Sequence, residues 1–284
     1  MIDIEMKDMP KEQTLIKRNN ILRGIVVKDK ENDDLNILTY KQTTDSIKLY
    51  NYIYLNFQNN REILRETGRF SMVFPHALMR DHLDVKTNSY IELVKTALQS
   101  LLKTTISIKN FTIENKIVKE YQTNLITEWI DYIDETTKQR VFKVSIAETL
   151  FEEMMKIGPE FTELNLKNIK VLTSLKHIKL YELMKSFQNM KIIPGMSLNE
   201  LNNLFLTNFI NLGKAEELLR RAIKAINLKT DITLSYTKDK KTKKIYFQIE
   251  KVKQTTKELK LQKFAIKQNI EEKTIIDNIL KEGS

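Results

Sequence analysis

The chain carries related text on both sides of its midpoint. Ile47-Lys48-Leu49-Tyr50 returns as Ile178-Lys179-Leu180-Tyr181, and Leu93-Val94-Lys95-Thr96-Ala97-Leu98, leading into Lys103-Thr104, returns as Leu218-Leu219-Arg220-Arg221-Ala222-Ile223, leading into Lys229-Thr230. Both copies keep the order of first helix, second helix, then a β-rich segment, so the 284 residues read as one small module used twice. A length of this size also suits two domains, each with a core of its own.

Charge narrows the partner. Lys and Arg total 47 against 37 Asp and Glu, a net charge of +10, which favours a polyanion over an acidic small molecule. Nucleic acid is the first candidate and an anionic membrane surface the second. There is no cysteine, so disulfides, thiolate zinc sites and iron-sulfur clusters are excluded, and a reducing interior fits. The charged start Met1 to Asp8 lacks the apolar core of a signal peptide, and no apolar run reaches the roughly 18 residues of a membrane span. The expected location is the bacterial cytoplasm.

Periodicity sets the expected elements. Residues 1–42 are a polar N-terminal extension with one candidate strand at Ile25-Val26-Val27. Residues 43–165 form the first module, with a helix from Thr43 burying Ile47, Tyr50, Ile53, Tyr54 and Phe57. A strand follows at Phe70 to Phe74, a helix starts at Pro75, and another is capped by Asn88 and Ser89. Strands are expected from Thr105, over Leu125 to Tyr132 and over Arg140 to Ile146. Gly158-Pro159 punctuates the join, and Phe161 to Lys170 reads as a link. Residues 166–254 form the second module: a helix capped by Thr173 and Ser174, a short helix with the Ser197/Glu200 capping box, a long helix from Gly213 to Leu228, and a hairpin of Ile232 to Tyr236 with Ile245 to Ile249. Residues 255–284 are a helical tail. Helices followed by hairpins make the fold class α+β, two tandem winged-helix domains with a C-terminal helical tail.

The helix from Gly213 carries the sharpest functional signal. At 100° per residue Ala215, Leu218, Leu219, Ala222, Ile223 and Ile226 share one face, while Arg220, Arg221 and Lys224 project from the other, flanked by Lys214. In a major groove the guanidinium groups can bond bidentately to guanine, and lysines meet phosphate. Glu217 shares that face and needs either a cytosine amine or Arg221 as its partner. Lys238, Lys240, Lys241, Lys243 and Lys244 make the hairpin tip a basic wing. Lys229 ends the helix, and Asn88 and Lys95 mark the corresponding, less cationic helix of the first module. The bland alternative for all of these is a solvated surface.

Enzyme readings fail on inventory. Gly213-Lys214 has Asn208 where a phosphate-cradling loop needs Gly, and Ala215 where it needs Ser or Thr. The histidines are His76, His82 and His177, with no pair at metal-ligand spacing. They read as turn, helix-end and helix-flank residues, and Trp129 as hairpin packing. A chain without an enzymatic activity of its own and without a cofactor is expected.

The second module resembles the C-terminal winged helix of the Rep initiators, the plasmid replication initiators that bind iterons. The matching blocks are Ile178 to Lys185, Ser197 to Leu201, and Ala222 to Asn227 followed by Thr230-Asp231-Ile232. The resemblance implies binding to directly repeated double-stranded sites at a plasmid origin and recruitment of the host replication initiator and helicase. It also implies self-association, a dimer through the first winged-helix domain that represses its own promoter. A winged-helix transcription regulator with no part in replication is the alternative.

Overall fold

Helix α1 (Thr44–Asn59) opens on a reciprocal cap. The Thr43 Oγ1 accepts from the Ser46 amide at 3.1 Å while the Ser46 Oγ accepts from the Thr43 amide at 2.8 Å. From Ser46 to Phe57 every residue of α1 is buried, so this helix is surrounded rather than docked by one face. The computed structural model describes residues 4–5, 13–18, 35–38, 42–85, 89–113, 116–156, 161–190 and 192–251. Ile25-Val26-Val27, Asn88, Gly158-Pro159 and the tail from 255 lie outside the described residues.

After α1 come α2 (Arg61–Thr67), closed by Gly68 at φ +61°, strand β4 (Ser71–Pro75) and α3 (His76–Leu83), with Pro75 at its N-cap. Helix α4 (Tyr90–Leu102) follows Ser89 and buries the stripe Val94, Ala97, Leu98 and Leu101. Of the earlier strands, β1 (Ile4–Glu5) runs parallel to β4, which pairs antiparallel with β8 (Arg140–Ser145); β7 (Glu128–Ile133) completes the order β1-β4-β8-β7. Strands β5 (Thr105–Ile113) and β6 (Lys116–Asn124) form a long hairpin, with β3 (Leu35–Leu38) added to its edge. Strand β6 is absent from the sequence reading because its alternation is hidden: Ile117, Lys119 and Glu120 are exposed, so no buried face marks it.

Two further differences concern residues 148–171. Helix α5 (Glu148–Met155) was not expected; it buries Leu150, Phe151, Met154 and Met155. The stretch read as a link is strand β9 (Phe161–Asn165), paired antiparallel with β2 (Thr14–Arg18), and helix α6 (Leu166–Val171). Along β9, Thr162 and Leu164 are buried between exposed neighbours, the period of a half-buried strand.

The remaining elements are α7 (Leu175–Ser186), α8 (Leu198–Phe205), α9 (Leu212–Lys229), β10 (Ile232–Asp239) and β11 (Lys244–Lys251). Ser197 and Glu200 form the expected capping box on α8. A single bridge, Met196 to Ile245, adds a third short strand position to the β10-β11 hairpin, as β4 adds to the β7-β8 hairpin. Both halves thus contain the order helix, short strand, helix, helix, hairpin, with the short strand paired to the second strand of that hairpin; the first half adds α2 after its first helix and the β5-β6 hairpin ahead of β7-β8. The fold is mixed α+β with this winged-helix order.

The described residues as far as Glu250 belong to one compact unit. Within it, β2, α1 and α7 meet at a buried polar group. The Lys17 ammonium lies 3.0 Å from Glu182 Oε1, and the Asn51 amide donates to the same oxygen at 2.9 Å. Both repeated lysines, Lys48 and Lys179, are also buried. Burial holds the Lys179 ammonium down to about 8, with Glu182 pulling the other way.

Candidate nucleic-acid interface

Helix α9 buries Ala215, Leu218, Leu219, Ala222, Ile223 and Ile226, the face expected from the 100° step. Its start is fixed by Asn211, whose Oδ1 accepts from the Lys214 amide at 3.1 Å. Lys214, Arg220, Arg221 and Lys224 are all exposed on the other side. Glu217 pairs with Arg221, whose Nη2 donates to Glu217 Oε1 at 3.2 Å. Both side chains of that pair are more than half exposed, so it is worth only about 0.3–0.5 kcal/mol and yields readily to a stronger acceptor.

The hairpin is pinned beside this face. Asn227 on α9 mimics a strand edge: its amide donates to the Leu234 carbonyl at 2.9 Å and its Oδ1 accepts from the Leu234 amide at 2.7 Å. Lys238 on β10 reaches Glu216 on α9 at 2.8 Å. Lys238 is therefore a strut, while Lys240, Lys241, Lys243 and Lys244 stay exposed and, among the described residues, have no carboxylate partner. Asp239, the one acid in the tip, is used internally. Its oxygens accept from the Lys241 amide and the Thr242 hydroxyl at 2.8 Å, and these bonds, Thr242's first, hold its carboxyl below the usual range. The turn closes with Lys243 in the left-handed region at φ +53°.

Other candidate residues are placed differently. Lys229, at the end of α9, points its ammonium at the Val171 carbonyl, 3.5 Å away. Lys95 on α4 lies 3.1 Å from Asp131 and 3.7 Å from Glu92, in a group that includes Arg140. Arg140 and Lys95 hold the Asp131 carboxyl down to about 2, so the charge of Lys95 is largely answered within the protein. His82 is buried, stacked on Tyr52 at 4.5 Å, with Nε2 donating to the Lys48 carbonyl at 3.1 Å. Burial pushes its pKa down to about 4. His76 is buried against Phe142, and His177 is half-buried; burial lowers both. Trp129 packs edge-on to Phe142 in the β7-β8 hairpin. Among the described residues no group of three or more His, Asp or Glu is placed to hold a metal ion, and no helix is long and apolar enough to cross a membrane.

An exposed cationic helix following a short capped helix, with a lysine-tipped hairpin tied to its flank, defines a winged-helix DNA-binding protein. Residues 28–185 match the family described as Initiator Replication protein, WH1, and the chain belongs to that family. It is thus a DNA-binding replication initiator, and the family match lies N-terminal to α9 and its hairpin. No curated protein matches the sequence. Among solved structures, domains 2 and 3 of RctB, solved as selenomethionine derivatives, superpose with TM-score 0.46 at 10% identity, over 87% of this chain and 95% of that one. A second structure of RctB domains 2-3 (RctB-155-483) gives TM-score 0.45 at 12% identity, over 82% and 96%.

Proposed function

We propose that this chain initiates replication of a plasmid by binding directly repeated sites, iterons, on double-stranded DNA. Two tandem winged-helix domains, residues 43–165 and 166–254, lie along the duplex, and the second is the main reader. Arg220, Arg221 and Lys224 enter the major groove, and Lys240, Lys241, Lys243 and Lys244 meet the adjacent phosphates. The chain has no enzymatic activity of its own. It works in the bacterial cytoplasm, recruits the host replication initiator and helicase, and pairs with a second copy through its first domain to repress its own promoter.

The observation that carries the reading is the exposure of three cations on one stripe of α9, beside a hairpin fixed to the same helix through Asn227 and Lys238. Arg221→Ala tests it. If the guanidinium reads a base edge, binding to a footprinted repeat weakens by about 1–3 kcal/mol while binding to random duplex changes little. Equal losses on both would reduce Arg221 to a phosphate contact and remove the base reading.

A further inference from the structure

A cleft of about 570 Å³ opens between α3, α6 and the C-terminal end of α9, lined by Lys48, Lys170 and Lys229 with Asp84 and Thr173. It is about 22 Å along the helix axis from Lys214, at 1.5 Å per residue, and so lies apart from the start of the reading helix.

The three ammonium groups are gathered by helix ends. Lys48 donates to the Lys170 carbonyl at 2.7 Å, Lys170 to the Asp81 carbonyl, and Lys229 points at the Val171 carbonyl. All three acceptors lie in the last turns of α6 and α3, where carbonyl groups carry partial negative charge; the Asp81 carbonyl also accepts the Asp84 amide at 3.3 Å and shares its second lone pair with Lys170. Those carbonyls hold cations together that would otherwise separate, and each ammonium has three donors to give. Burial of Lys48 lowers its pKa; Asp45 and Asp84 oppose this, and Lys170 and Lys229 add to it. Against three cations the cleft sets one lining carboxylate, Asp84, which is exposed.

We propose that this cleft is a phosphoryl site, taking one phosphate group between Lys48, Lys170 and Lys229. The net charge of its lining, two positive, answers the roughly −1.5 to −2 of a phosphate monoester at neutral pH. Its volume exceeds that of a lone phosphate and lies within the range of small-molecule sites, leaving room for an attached sugar. Backbone phosphate of bound DNA and a free phosphate or nucleotide present the same group.

Thermal unfolding of the full chain, in about 10 mM inorganic phosphate against sodium chloride of matched ionic strength, reads the site. A dissociation constant near 1 mM raises the midpoint by about 3 °C. Lys170→Met removes that increment and Lys170→Arg keeps it. The readout is the phosphate increment, so a lower starting midpoint from the lost Asp81 contact does not confuse it. Lys48→Met, which fills a buried position with a side chain of similar length, repeats the test if Lys170→Met does not fold. Equal increments in wild type and both Met variants would overturn the site, leaving only a general salt effect. The source is read on DNA. If the ligand is backbone phosphate, one methylphosphonate position in the duplex weakens wild type and not Lys170→Met. If it is free, the phosphate increment persists in the saturated DNA complex. Neither arm requires Arg221 to read a base, so this site stands or falls separately from that reading.

Discussion

Replacing Lys240, Lys241, Lys243 and Lys244 together by Gln removes four charges that have no carboxylate partner among the described residues. Each lysine that neutralises a duplex phosphate contributes about 0.9 to the slope of log K against log salt concentration, so the quadruple variant should flatten the slope by up to about 3.6. Between about 50 and about 200 mM salt this means the wild type loses about two decades of affinity more than the variant. Lys238 behaves differently. It already faces Glu216 at 2.8 Å, so Lys238→Gln should change the slope by under about 0.5. Glu216→Gln, which frees that ammonium, should steepen the slope by up to about 0.9. Fluorescence anisotropy of a labelled duplex titrated at four salt concentrations measures all three. A quadruple variant whose slope matches wild type would refute wing contact with the backbone. A Lys238→Gln variant losing as much slope as a tip lysine would refute the division between strut and contact.

The remaining predictions concern the buried groups. Lys17→Met leaves Glu182 buried with Asn51 but without its cation, and should cost about 3 kcal/mol in urea denaturation followed by circular dichroism; a loss below about 1 kcal/mol would show that the pair can be dispensed with. His82 titrates near 6.5 when unfolded and at about 4 when folded, so between those values the unfolded chain binds the proton and stability falls as the pH is lowered. The loss from pH 7.5 to pH 5 is about 2 kcal/mol from this group, absent in His82→Phe, and a variant with the same pH dependence as wild type would exclude His82 as its source.

The sequence was most legible where one face is buried and a cap is local. Thr43, Ser197 and Glu200 announce their helices because capping joins residues three apart, and the α9 stripe follows from a fixed 100° step. Strands β6 and β9 were not legible, for opposite reasons. The described face of β6 is largely exposed, so no apolar period marks it; β9 has the period but is too short to stand out before its partner β2, about 150 residues earlier, is known. The candidate reading face was visible as a list of cations, but which of them are available was not. Ion pairs such as Lys238 with Glu216 and Lys95 with Asp131 join separate elements and depend on tertiary packing.

The repeat shows the same limit from another side. Ile-Lys-Leu-Tyr invites the lysine to be read as surface, yet α1 and α7 are both covered on nearly every face, and Lys48 and Lys179 go inward with their helices. Equivalent positions then meet different surroundings. Lys48 finds the Lys170 carbonyl at the end of α6, whereas the buried Lys179 ammonium finds no hydrogen-bond acceptor among the described residues. A lysine left in that state costs stability that a Met of similar length would not, so Lys179→Met should stabilise the chain by about 1–2 kcal/mol in urea denaturation while Lys48→Met should not. Equal effects at the two sites would show that the copies share surroundings as well as sequence, and that the helix-end carbonyls contribute nothing to holding Lys48.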